Sequence, residues 1–551
     1  MGNRPWDADF IVVGSGFGGA VSALRLAEKG YSVVVLEQGR RYRTEDFPAT
    51  NWSLRKYLWA PRLGLHGIQV LTFLRHALVL HGRGVGGGSL VYANTLIEPE
   101  ASVFHDPGWG PGDWAERLRP HYQEARRMLG AVPSEGVGRT DELLREIGAE
   151  LRGEDTFKVH DVGVFFGEAG RTVPDPFFGG AGPDRTGCTR CGACMIGCGV
   201  GAKNTLDKNY LWLAERRGVR IVPETEALGI RPEEGGGYVV ETRRSLGLRR
   251  PRRSWRARQV VVSGGVVGTV QLLLRSRQWG WLPELSPQVG RYVRTNSESI
   301  LAADSPDREA DWTGQVAITS GVRPDERTHL EMVRFNPGSD ALFWLTAPLT
   351  DGGGAVPRPL RLVWNLVRHP LRALRSLWPF NRAVRTGIVL AMQATEGHLE
   401  LGLRRRWWRV WRRGLASRVP AGQDPPVSYI PVANEAARRL AGRMGGEAWN
   451  TWPEVVLGAP TTAHILGGCR MGGSAEEGAV GFDGQLFGYP GLYVVDGSVV
   501  PVNLGVNPSL TITALAEHIM AGVPPAAEGA GTGARVAEAS ASRASDRTPG
   551  G

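Results

Sequence analysis

The sequence lacks any uninterrupted apolar run of about eighteen residues, the length that a membrane-spanning helix requires. It also lacks a recognisable secretory signal, because Met1 to Phe10 is polar and leads directly into a short apolar strand. Cysteine is scarce, with 5 residues among 551, which fits a reducing compartment. We therefore expect a cytoplasmic protein.

Lysine is rare relative to arginine, and the net charge is +10. Much of the excess lies in Leu248 to Arg258 and Arg404 to Arg413, without a nucleic-acid recognition motif, so nucleic acid is not an expected partner. These clusters are either solvated loops or a surface that docks on an anionic membrane. The segment Pro357 to Arg385 mixes Leu, Trp and Arg in an amphipathic pattern, which would suit peripheral membrane contact.

Strand–helix units typical of a nucleotide-binding domain occur at the start, middle and end of the chain. Phe10 to Val13 and Tyr31 to Leu36 are apolar, β-branched runs that flank a helical pattern at Ala20 to Glu28. Similar units run from Gln259 to Arg275 and from Leu492 to Met520. Because 551 residues exceed one simple core, we expect the intervening segments to form a second domain.

The first strand ends in a G-x-G-x-x-G turn, formed by Gly14-Ser15-Gly16-Phe17-Gly18-Gly19. Glycine at these positions allows a tight turn, close approach of a pyrophosphate, and close packing of helix on strand. The pyrophosphate then lies at the positive N-terminus of the helix. Glu37 ends the second strand, where its carboxylate can accept hydrogen bonds from ribose hydroxyls. The turn predicts a dinucleotide site and leaves NAD and FAD open.

Three further segments decide between these cofactors. His81 to Asn94 reads HGRGVGGGSLVYAN, His464 to Gly472 reads HILGGCRMG, and Gly491 to Ala514 reads GLYVVDGSVVPVNLGVNPSLTITA. With the glycine turn, they resemble the glucose–methanol–choline oxidoreductase family, especially its bacterial cholesterol oxidase-like branch, over residues 8 to 520. The resemblance implies FAD. The loop Gly84 to Asn94 contains no histidine for a covalent link, which favours non-covalent FAD.

The resemblance implies a mixed α/β fold, in which a Rossmann-like FAD-binding domain carries a discontinuous substrate-binding domain built on an antiparallel sheet. We assign residues 8–100, 181–300 and 455–520 to the FAD-binding domain, and 101–180 and 301–454 to the substrate-binding domain. We expect residues 521–551 to be a disordered tail. The implied cofactor-binding residues are Gly14, Gly16, Phe17, Gly18, Gly19, Glu37, Val85, Gly88, Ser89, Tyr92, Asn94, Ala227, Asp496, Gly497, Asn507 and Pro508.

Oxidation of an alcohol requires a group that removes the hydroxyl proton, and a histidine suits this task at neutral pH. By resemblance, His464 is that base and Asn507 orients the alcohol oxygen. The steroid branch adds a carboxylate that moves a proton within the ring system. Glu331 is the candidate by position, with a surface glutamate as the alternative, and an apolar pocket would raise its pKa. Ile465 and Tyr92 depart from the family pattern and leave the shape of the pocket open.

Four cysteines, Cys188, Cys191, Cys194 and Cys198, crowd into one loop with the spacing of bacterial ferredoxin iron–sulfur loops. No second run exists, and Gly199 replaces the usual proline. Three interpretations stay open: an iron–sulfur cluster that relays electrons, a structural loop of free thiols, and a zinc site. A cluster would direct electrons to a carrier protein, whereas without one dioxygen can reoxidise the flavin.

The sequence therefore predicts FAD-dependent oxidation of a bulky apolar secondary alcohol, a 3β-hydroxysteroid such as cholesterol first of all. One alternative is oxidation of a long-chain or terpenoid alcohol, with electrons passing through an iron–sulfur cluster. Another is a membrane-associated lipid-binding protein that keeps FAD as structure. The expected partners are an apolar alcohol or sterol, dioxygen or an electron carrier, and a membrane surface in peripheral contact.

Overall fold

The structure is a computed structural model and describes residues 6–371, 378–406 and 409–527, without the side chains of 406–412. The disordered tail expected for 521–551 lies outside the described residues from 528 onward. Residues 522–527 are held against the start of the chain. Ala526 N donates to Lys29 O at 2.8 Å, and Tyr31 Oη donates to Pro524 O at 3.0 Å. The packed chain therefore continues beyond residue 521, contrary to our expectation.

The described helices are α1 (Phe17–Glu28), α2 (Leu54–Tyr57), α3 (Trp114–Leu129), α4 (Arg139–Arg152), α5 (Tyr210–Arg216), α6 (Gly265–Gln278), α7 (Arg358–Arg368), α8 (Pro431–Arg443), α9 (Trp452–Leu457) and α10 (Ser509–Ala521). None of these helices has the length and apolarity that crossing a bilayer demands. The strands are β1 (Ala8–Val13), β2 (Val33–Leu36), β3 (Trp59–Ala60), β4 (Leu65–His66), β5 (Gln69–Leu74), β6 (Ala77–Gly82), β7 (Ala131–Pro133), β8 (Lys158–Val159), β9 (Asp161–Gly163), β10 (Thr172–Val173), β11 (Arg185–Thr186), β12 (Arg220–Val222), β13 (Thr225–Pro232), β14 (Tyr238–Arg244), β15 (Arg252–Val262), β16 (Ser299–Asp304), β17 (Ile318–Val322), β18 (Thr328–Val333), β19 (Thr346–Pro348), β20 (Thr386–Gln393), β21 (Glu400–Arg406), β22 (Arg409–Arg418), β23 (Glu447–Thr451), β24 (Thr461–Thr462) and β25 (Leu492–Val494).

The first large sheet has the order β12–β2–β1–β15–β14–β13, and β25 also pairs with β15. The pairs β12–β2, β2–β1, β1–β15 and β15–β25 are parallel, whereas β14 and β13 extend the sheet in antiparallel fashion. Every residue of β1 is buried, as expected for an apolar parallel strand that helices cover on both faces. The three strand–helix units predicted from the sequence therefore meet in one sheet.

The helix α3 belongs to the core of this first domain. Its side chains Trp114, Leu118 and Tyr122 are buried in the same hydrophobic cluster as β1 and α10. Tyr122 Oη also donates to Thr511 Oγ1 of α10 at 2.8 Å. The domain boundary expected at residue 101 is therefore too early, since the chain leaves the first domain only after this helix.

The second large sheet is antiparallel, in the order β19–β23–β16–β20–β18–β17–β8, and α4 and α8 cover one of its faces. Side chains alternate between the two faces of a strand. On β18, Leu330 and Met332 pack toward the helices, and Glu331 and Val333 point to the opposite face. The expected class, a mixed α/β fold with a Rossmann-like domain and an antiparallel second sheet, is confirmed.

Candidate active site

The glycine turn lies where three parallel strands of the first sheet end side by side. Gly14, after β1, has a φ of +101°, in the left-handed region that favours glycine. A Cβ on Gly14 would lie 2.2 Å from Ser263 O, and a Cβ on Gly18 would lie 1.8 Å from Val495 O. The turn therefore has no room for side chains on its sheet side, and α1 begins directly after Gly16.

A cavity of about 440 Å³ extends from this turn to the second sheet. Most of the predicted cofactor-binding residues line it, from both glycine loops and from the ends of the strands. These residues are Gly14, Gly16, Phe17, Gly18, Glu37, Gly88, Tyr92, Ala227, Asp496, Gly497, Asn507 and Pro508. The fold thus brings together segments that are separated by hundreds of residues in the chain.

Four other predicted cofactor-binding residues are buried behind the wall of the cavity: Gly19, Val85, Ser89 and Asn94. Ser89 Oγ donates to Gly86 O at 2.7 Å and accepts from Leu206 N at 3.0 Å, so it holds the second glycine loop in shape. Asn94 is fully buried beside the thiol of Cys194. These four residues support the wall of the cavity, and their contact with the cofactor stays a prediction.

Glu37 lines the dinucleotide end of the cavity. Its Oε2 accepts from Ser15 N at 3.1 Å and Ser15 Oγ at 2.7 Å, and its Oε1 accepts from Gly39 N at 2.7 Å. Because a carboxylate offers about four acceptor positions, one stays available for a ribose hydroxyl. Arg83 lines the same end; burial lowers its pKa, and the charge of Glu37 opposes that shift. Arg83 was not among the predicted residues, although an arginine inside a glycine-rich loop suggests phosphate binding.

Asp496 connects the end of β25 to the start of α6. Its Oδ2 accepts from Gly265 N at 2.9 Å and Thr269 Oγ1 at 2.5 Å, and its Oδ1 accepts from Ser498 N at 2.8 Å. Burial raises the pKa of Asp496, and these hydrogen bonds act against the rise. The carboxylate therefore fixes two loops that border the dinucleotide part of the cavity.

The far end of the cavity is apolar, and the second sheet builds most of it. Side chains from β16, β17, β18 and β20 combine there with two aromatic rings: Ile300, Ala302, Ile318, Val333, Leu390, Phe335 and Phe343. Within the described lining of this end no side chain carries a charge. Such a wall suits a bulky apolar molecule.

His464 lies after β24, where the dinucleotide part of the cavity meets the apolar end. Its Nδ1 is hydrogen-bonded to Oε1 of the fully buried Glu298, whose Oε2 accepts from Ala463 N at 2.8 Å. A carboxylate can only accept, so Nδ1 carries the proton and Nε2 is left as the basic atom. Burial lowers the pKa of His464, but the negative charge of Glu298 outweighs this effect, and the pKa lies above its ordinary value.

Asn507 lies before α10, beside His464. Its Nδ2 donates to Glu331 Oε2 at 3.2 Å and lies 3.4 Å from His464 Nε2. Because the carboxylate of Glu331 accepts only, it faces the NH₂ group of Asn507 and so determines how the amide is turned. The second N–H, at a long distance from Nε2, is available to an alcohol oxygen placed between the two residues.

Glu331 is fully buried and does not line the cavity. Its Oε1 lies 3.3 Å from His329 Nε2 and 3.8 Å from His160 Nε2. Burial alone would raise the pKa of Glu331, but the hydrogen bond and charge of His329, with those of the other histidines, lower it. The expected rise of its pKa is therefore wrong. Its carboxylate orients Asn507, and its role in moving a proton within a steroid stays a prediction.

Glu298 is the main functional residue that the sequence reasoning missed. It follows Asn296 and Ser297, which both adopt left-handed backbone conformations, with φ of +54° and +45°. The backbone N–H of Asn296, which precedes β16, donates to Asn503 Oδ1 at 2.8 Å. The available signal was a polar run immediately before an apolar strand, since polar residues there must either reach solvent or find buried partners.

The cysteine loop packs as part of the protein interior. Cys194 and Cys198 are buried in an apolar cluster, Cys188 is half-buried and Cys191 is exposed. Burial raises the pKa of Cys194 to about 11 and that of Cys188 to about 12, so these thiols are protonated at neutral pH. Within the described chain, no three of the sulfur atoms approach one another within 4.8 Å, as a zinc site would require.

Lys203 gives this loop a structural role. Its buried Nζ donates to the carbonyl oxygens of Cys194 at 2.6 Å, Leu90 at 2.9 Å and Tyr92 at 3.2 Å. The cysteine loop is thereby fastened to the second glycine loop. Tyr92 also donates from its hydroxyl to Asn204 O at 2.9 Å, which strengthens the same connection.

Two alanine substitutions in the glycine turn should separate folding from ligand binding. Gly18→Ala places a methyl group against Val495 O and should lower the free energy of unfolding of the apoprotein by about 3 kcal/mol or more. A Cβ on Gly16 meets no atom within 4 Å, so Gly16→Ala should leave apoprotein stability unchanged and weaken FAD binding. Urea unfolding of the apoproteins and FAD titration measure the two effects. Equal destabilisation by both variants would contradict this division.

Comparison with known proteins identifies the family. Models of GMC oxidoreductase match residues 180–290 and 423–516, and a model of an FAD binding domain matches residues 9–62. The chain is 45% identical over 525 residues to a cholesterol oxidase of Mycobacterium tuberculosis (strain CDC 1551 / Oshkosh), covering 93% of this chain and 90% of the relative. It is 42% identical over 530 residues to a cholesterol oxidase of Acinetobacter baumannii, covering 94% and 95%.

A solved structure supports the fold alone. The crystal structure of pyridoxine 4-oxidase from Mesorbium loti superposes with a TM-score of 0.59 at 15% identity, covering 94% of this chain and 99% of that chain. The glycine turn, the long cavity and the sequence relatives agree with one another. The chain belongs to the GMC oxidoreductase family and is an FAD-dependent oxidoreductase that acts on CH–OH groups.

Proposed function

We propose that the protein oxidises the 3β-hydroxyl group of a sterol of the cholesterol class to a ketone, with dioxygen as the electron acceptor. The names of its two bacterial relatives support the substrate class. The observation that carries the proposal is the uncharged apolar wall that meets His464 and Asn507 at one end of the cavity. A rigid apolar ring system held against that wall places a single hydroxyl group beside two polar side chains.

The residues of the turn and of the strand ends fit FAD. The cradle at Gly14 and Gly18 excludes side chains, the start of α1 faces the same space, and Glu37 retains an acceptor for a ribose hydroxyl. When bound, the flavin supplies the acceptor for the hydride that leaves the alcohol carbon. We propose that it is held without a covalent link, because the two histidines lining the cavity have other partners: His81 bonds Thr72 and His464 bonds Glu298. Acid denaturation should then release all of the flavin.

The proton of the alcohol goes to His464 in this proposal. Nε2 is the free basic atom, and the carboxylate of Glu298 stabilises the positive charge that the imidazole acquires. Asn507 donates one N–H to the alcohol oxygen, while its other N–H stays on Glu331. Both carboxylates are fully buried, so water does not compete with these contacts. His464 therefore binds the hydroxyl proton and Asn507 the hydroxyl oxygen. Glu298 and Glu331 hold these two side chains in place.

Dioxygen as acceptor agrees with the packing of the cysteine loop. The loop already has a structural role, because Cys194 and Cys198 are buried in an apolar cluster and Lys203 fastens the loop to the second glycine loop. We therefore propose that the loop is structural and that electrons leave the flavin directly. The balance is one alcohol and one dioxygen consumed for one ketone and one hydrogen peroxide formed.

A substrate panel tests the function. Under anaerobic conditions, a 3β-hydroxysterol should bleach the flavin absorbance of the purified enzyme, and its 3α epimer and a long-chain alcohol should do so far more slowly. Admission of air should give one hydrogen peroxide per ketone. His464→Ala should retain FAD and slow bleaching by about 100-fold to 10,000-fold, since general-base catalysis contributes that much.

Four results would contradict this proposal. Faster bleaching by the long-chain alcohol would favour an oxidoreductase for that class, and no bleaching by any alcohol would favour a lipid-binding protein with structural FAD. Stoichiometric iron and acid-labile sulfide in anaerobically purified protein would indicate a dehydrogenase with a cluster. Normal bleaching by the His464→Ala variant would remove the proposed base.

We also propose that the enzyme takes its substrate from a membrane surface through an apolar rim next to the cavity. The rim consists of exposed apolar side chains on and near α7: Trp344, Leu360, Val363, Trp364, Val367, Leu371, Trp378 and Phe380. Trp364 is 63% exposed and Leu371 is 73% exposed. Trp344 directly follows Phe343, which lines the cavity, so the rim borders the apolar end. The part of the expected lipid-contacting segment at 372–377 and 407–408 lies outside the described residues.

Vesicle binding tests the apolar rim. The triple variant Trp364→Ser/Val367→Ser/Leu371→Ser should bind anionic phospholipid vesicles about 10-fold or more weakly, because several large apolar side chains no longer enter the lipid. Turnover of sterol dispersed in detergent should stay near that of the parent. A control variant with Leu63→Ser and Trp279→Ser, which are also exposed but distant in the chain, should bind vesicles normally. Unchanged binding of the triple variant in a sedimentation assay would contradict the proposal.

A further inference from the structure

A second cavity, of about 220 Å³, has no part in the oxidation chemistry. His160 and His329 line it, together with apolar residues such as Val506 and charged ones such as Arg126 and Asp161. The two histidines are only 6% and 5% exposed. The cavity therefore leads to a buried group of titratable side chains behind the active site.

Three potential ligand atoms converge between this cavity and Glu331. Oε1 of Glu331 lies 3.3 Å from His329 Nε2 and 3.8 Å from His160 Nε2, and the ligand atoms of the three residues lie within 4.8 Å of one another. A tetrahedral zinc ion with bonds of about 2.1 Å holds its ligand atoms about 3.4 Å apart. Small movements would bring the observed separations to that value.

A glycine in the facing strand lets His160 approach Glu331 closely. Gly321 is paired in register with Glu331, and a Cβ at this position would lie 2.6 Å from His160 Nε2. That nitrogen is buried, and it has no hydrogen-bond partner among the described residues. Buried polar atoms are nearly always satisfied, so an unsatisfied one marks the place of a water molecule or an ion.

The donor set selects the kind of ion. A simple hydrogen bond between His329 and Glu331 would use one histidine and leave His160 without a role. Two imidazole nitrogens and one carboxylate oxygen are ligands that zinc and similar transition metals accept, whereas calcium and magnesium prefer oxygen alone. The cluster therefore favours a metal that binds nitrogen.

We propose that His160, His329 and Glu331 bind one divalent transition-metal cation of the zinc class, with a water molecule from the second cavity as fourth ligand. This site is additional to the sterol oxidation proposed above and does not depend on it. The other carboxylate oxygen of Glu331 holds Asn507, so the cation lies one residue away from the groups that bind the alcohol. Zinc binding and alcohol binding should then affect each other.

The test is equilibrium dialysis of the FAD-loaded protein, stripped with a chelator, against zinc chloride, followed by elemental analysis. The parent should bind one zinc equivalent that His160→Gln and His329→Gln each lose, because glutamine keeps much of the bulk without the ligand nitrogen. His121→Gln is the matched control, since His121 and His518 form another close histidine pair, at 3.3 Å. The double variant Cys188→Ser/Cys191→Ser controls for binding by thiols, and both controls should retain the equivalent.

X-ray absorption at the zinc edge of the parent gives a measurement that does not depend on the folding of any variant. It should show nitrogen and oxygen ligands only. The proposal is overturned if the parent binds no equivalent, if both histidine variants retain it, if either control loses it, or if the absorption spectrum shows sulfur ligands.

Discussion

The active site depends on one buried negative charge placed against one imidazole ring. Glu298 is fully buried, and its carboxylate binds the Nδ1 side of His464 and the backbone N–H of Ala463. A buried carboxylate without partners would be costly, so the pair is stable only as a unit. The same contact decides which ring nitrogen is basic and raises the pKa of His464 against the effect of burial. An alcohol must place its hydroxyl group where that nitrogen points, beside Asn507 and at the edge of the apolar wall.

The loop that carries Glu298 is held by the loop that carries Asn507. Glu298 immediately precedes β16 of the antiparallel sheet, and the turn before it is held by Asn296, whose Nδ2 donates to Val506 O at 3.0 Å and whose Oδ1 accepts from Gly505 N at 2.9 Å. Those partners lie just before Asn507 and α10. One side chain thus connects the loop that carries the buried carboxylate to the loop that carries the alcohol-orienting amide. Hydrogen bonds between loops therefore position the polar groups of the site, in addition to the two sheets.

The parts that the sequence predicted well are local or carried by specific motifs. The unit β1–α1–β2 follows from apolar runs and helical spacing within forty residues, although α1 begins at Phe17, before the predicted Ala20, because the glycines join the first turn. His464 and Asn507 were predicted from the family resemblance, and in the structure His464 Nε2 lies 3.4 Å from Asn507 Nδ2. Glu298 could not be found in this way, since its partner is 166 residues away and its neighbours look like an ordinary polar loop.

The prediction for the pKa of Glu331 considered burial alone and was wrong. An apolar environment raises the pKa of a carboxyl group, but His329 in the same strand reverses the shift together with His160 and His464, which only the folded chain brings near. The assignment of α3 to the substrate-binding domain was wrong for a similar reason. Its amphipathic pattern shows that one face is buried, and the pattern does not say against which sheet.

The pH dependence of anaerobic flavin bleaching in a Glu298→Gln variant tests the central claim most directly. His464 must be neutral to accept the proton, and the charge of Glu298 raises its pKa, so loss of that charge should lower the pKa. The rise of the bleaching rate with pH should therefore move to lower pH, with a reduced maximal rate. Glu454→Gln is the control, since Glu454 is equally buried and bonds Ser299 and Ile300 without touching His464. If the rise stays at the parent's pH in Glu298→Gln, or shifts equally in the control, the buried charge does not govern the base.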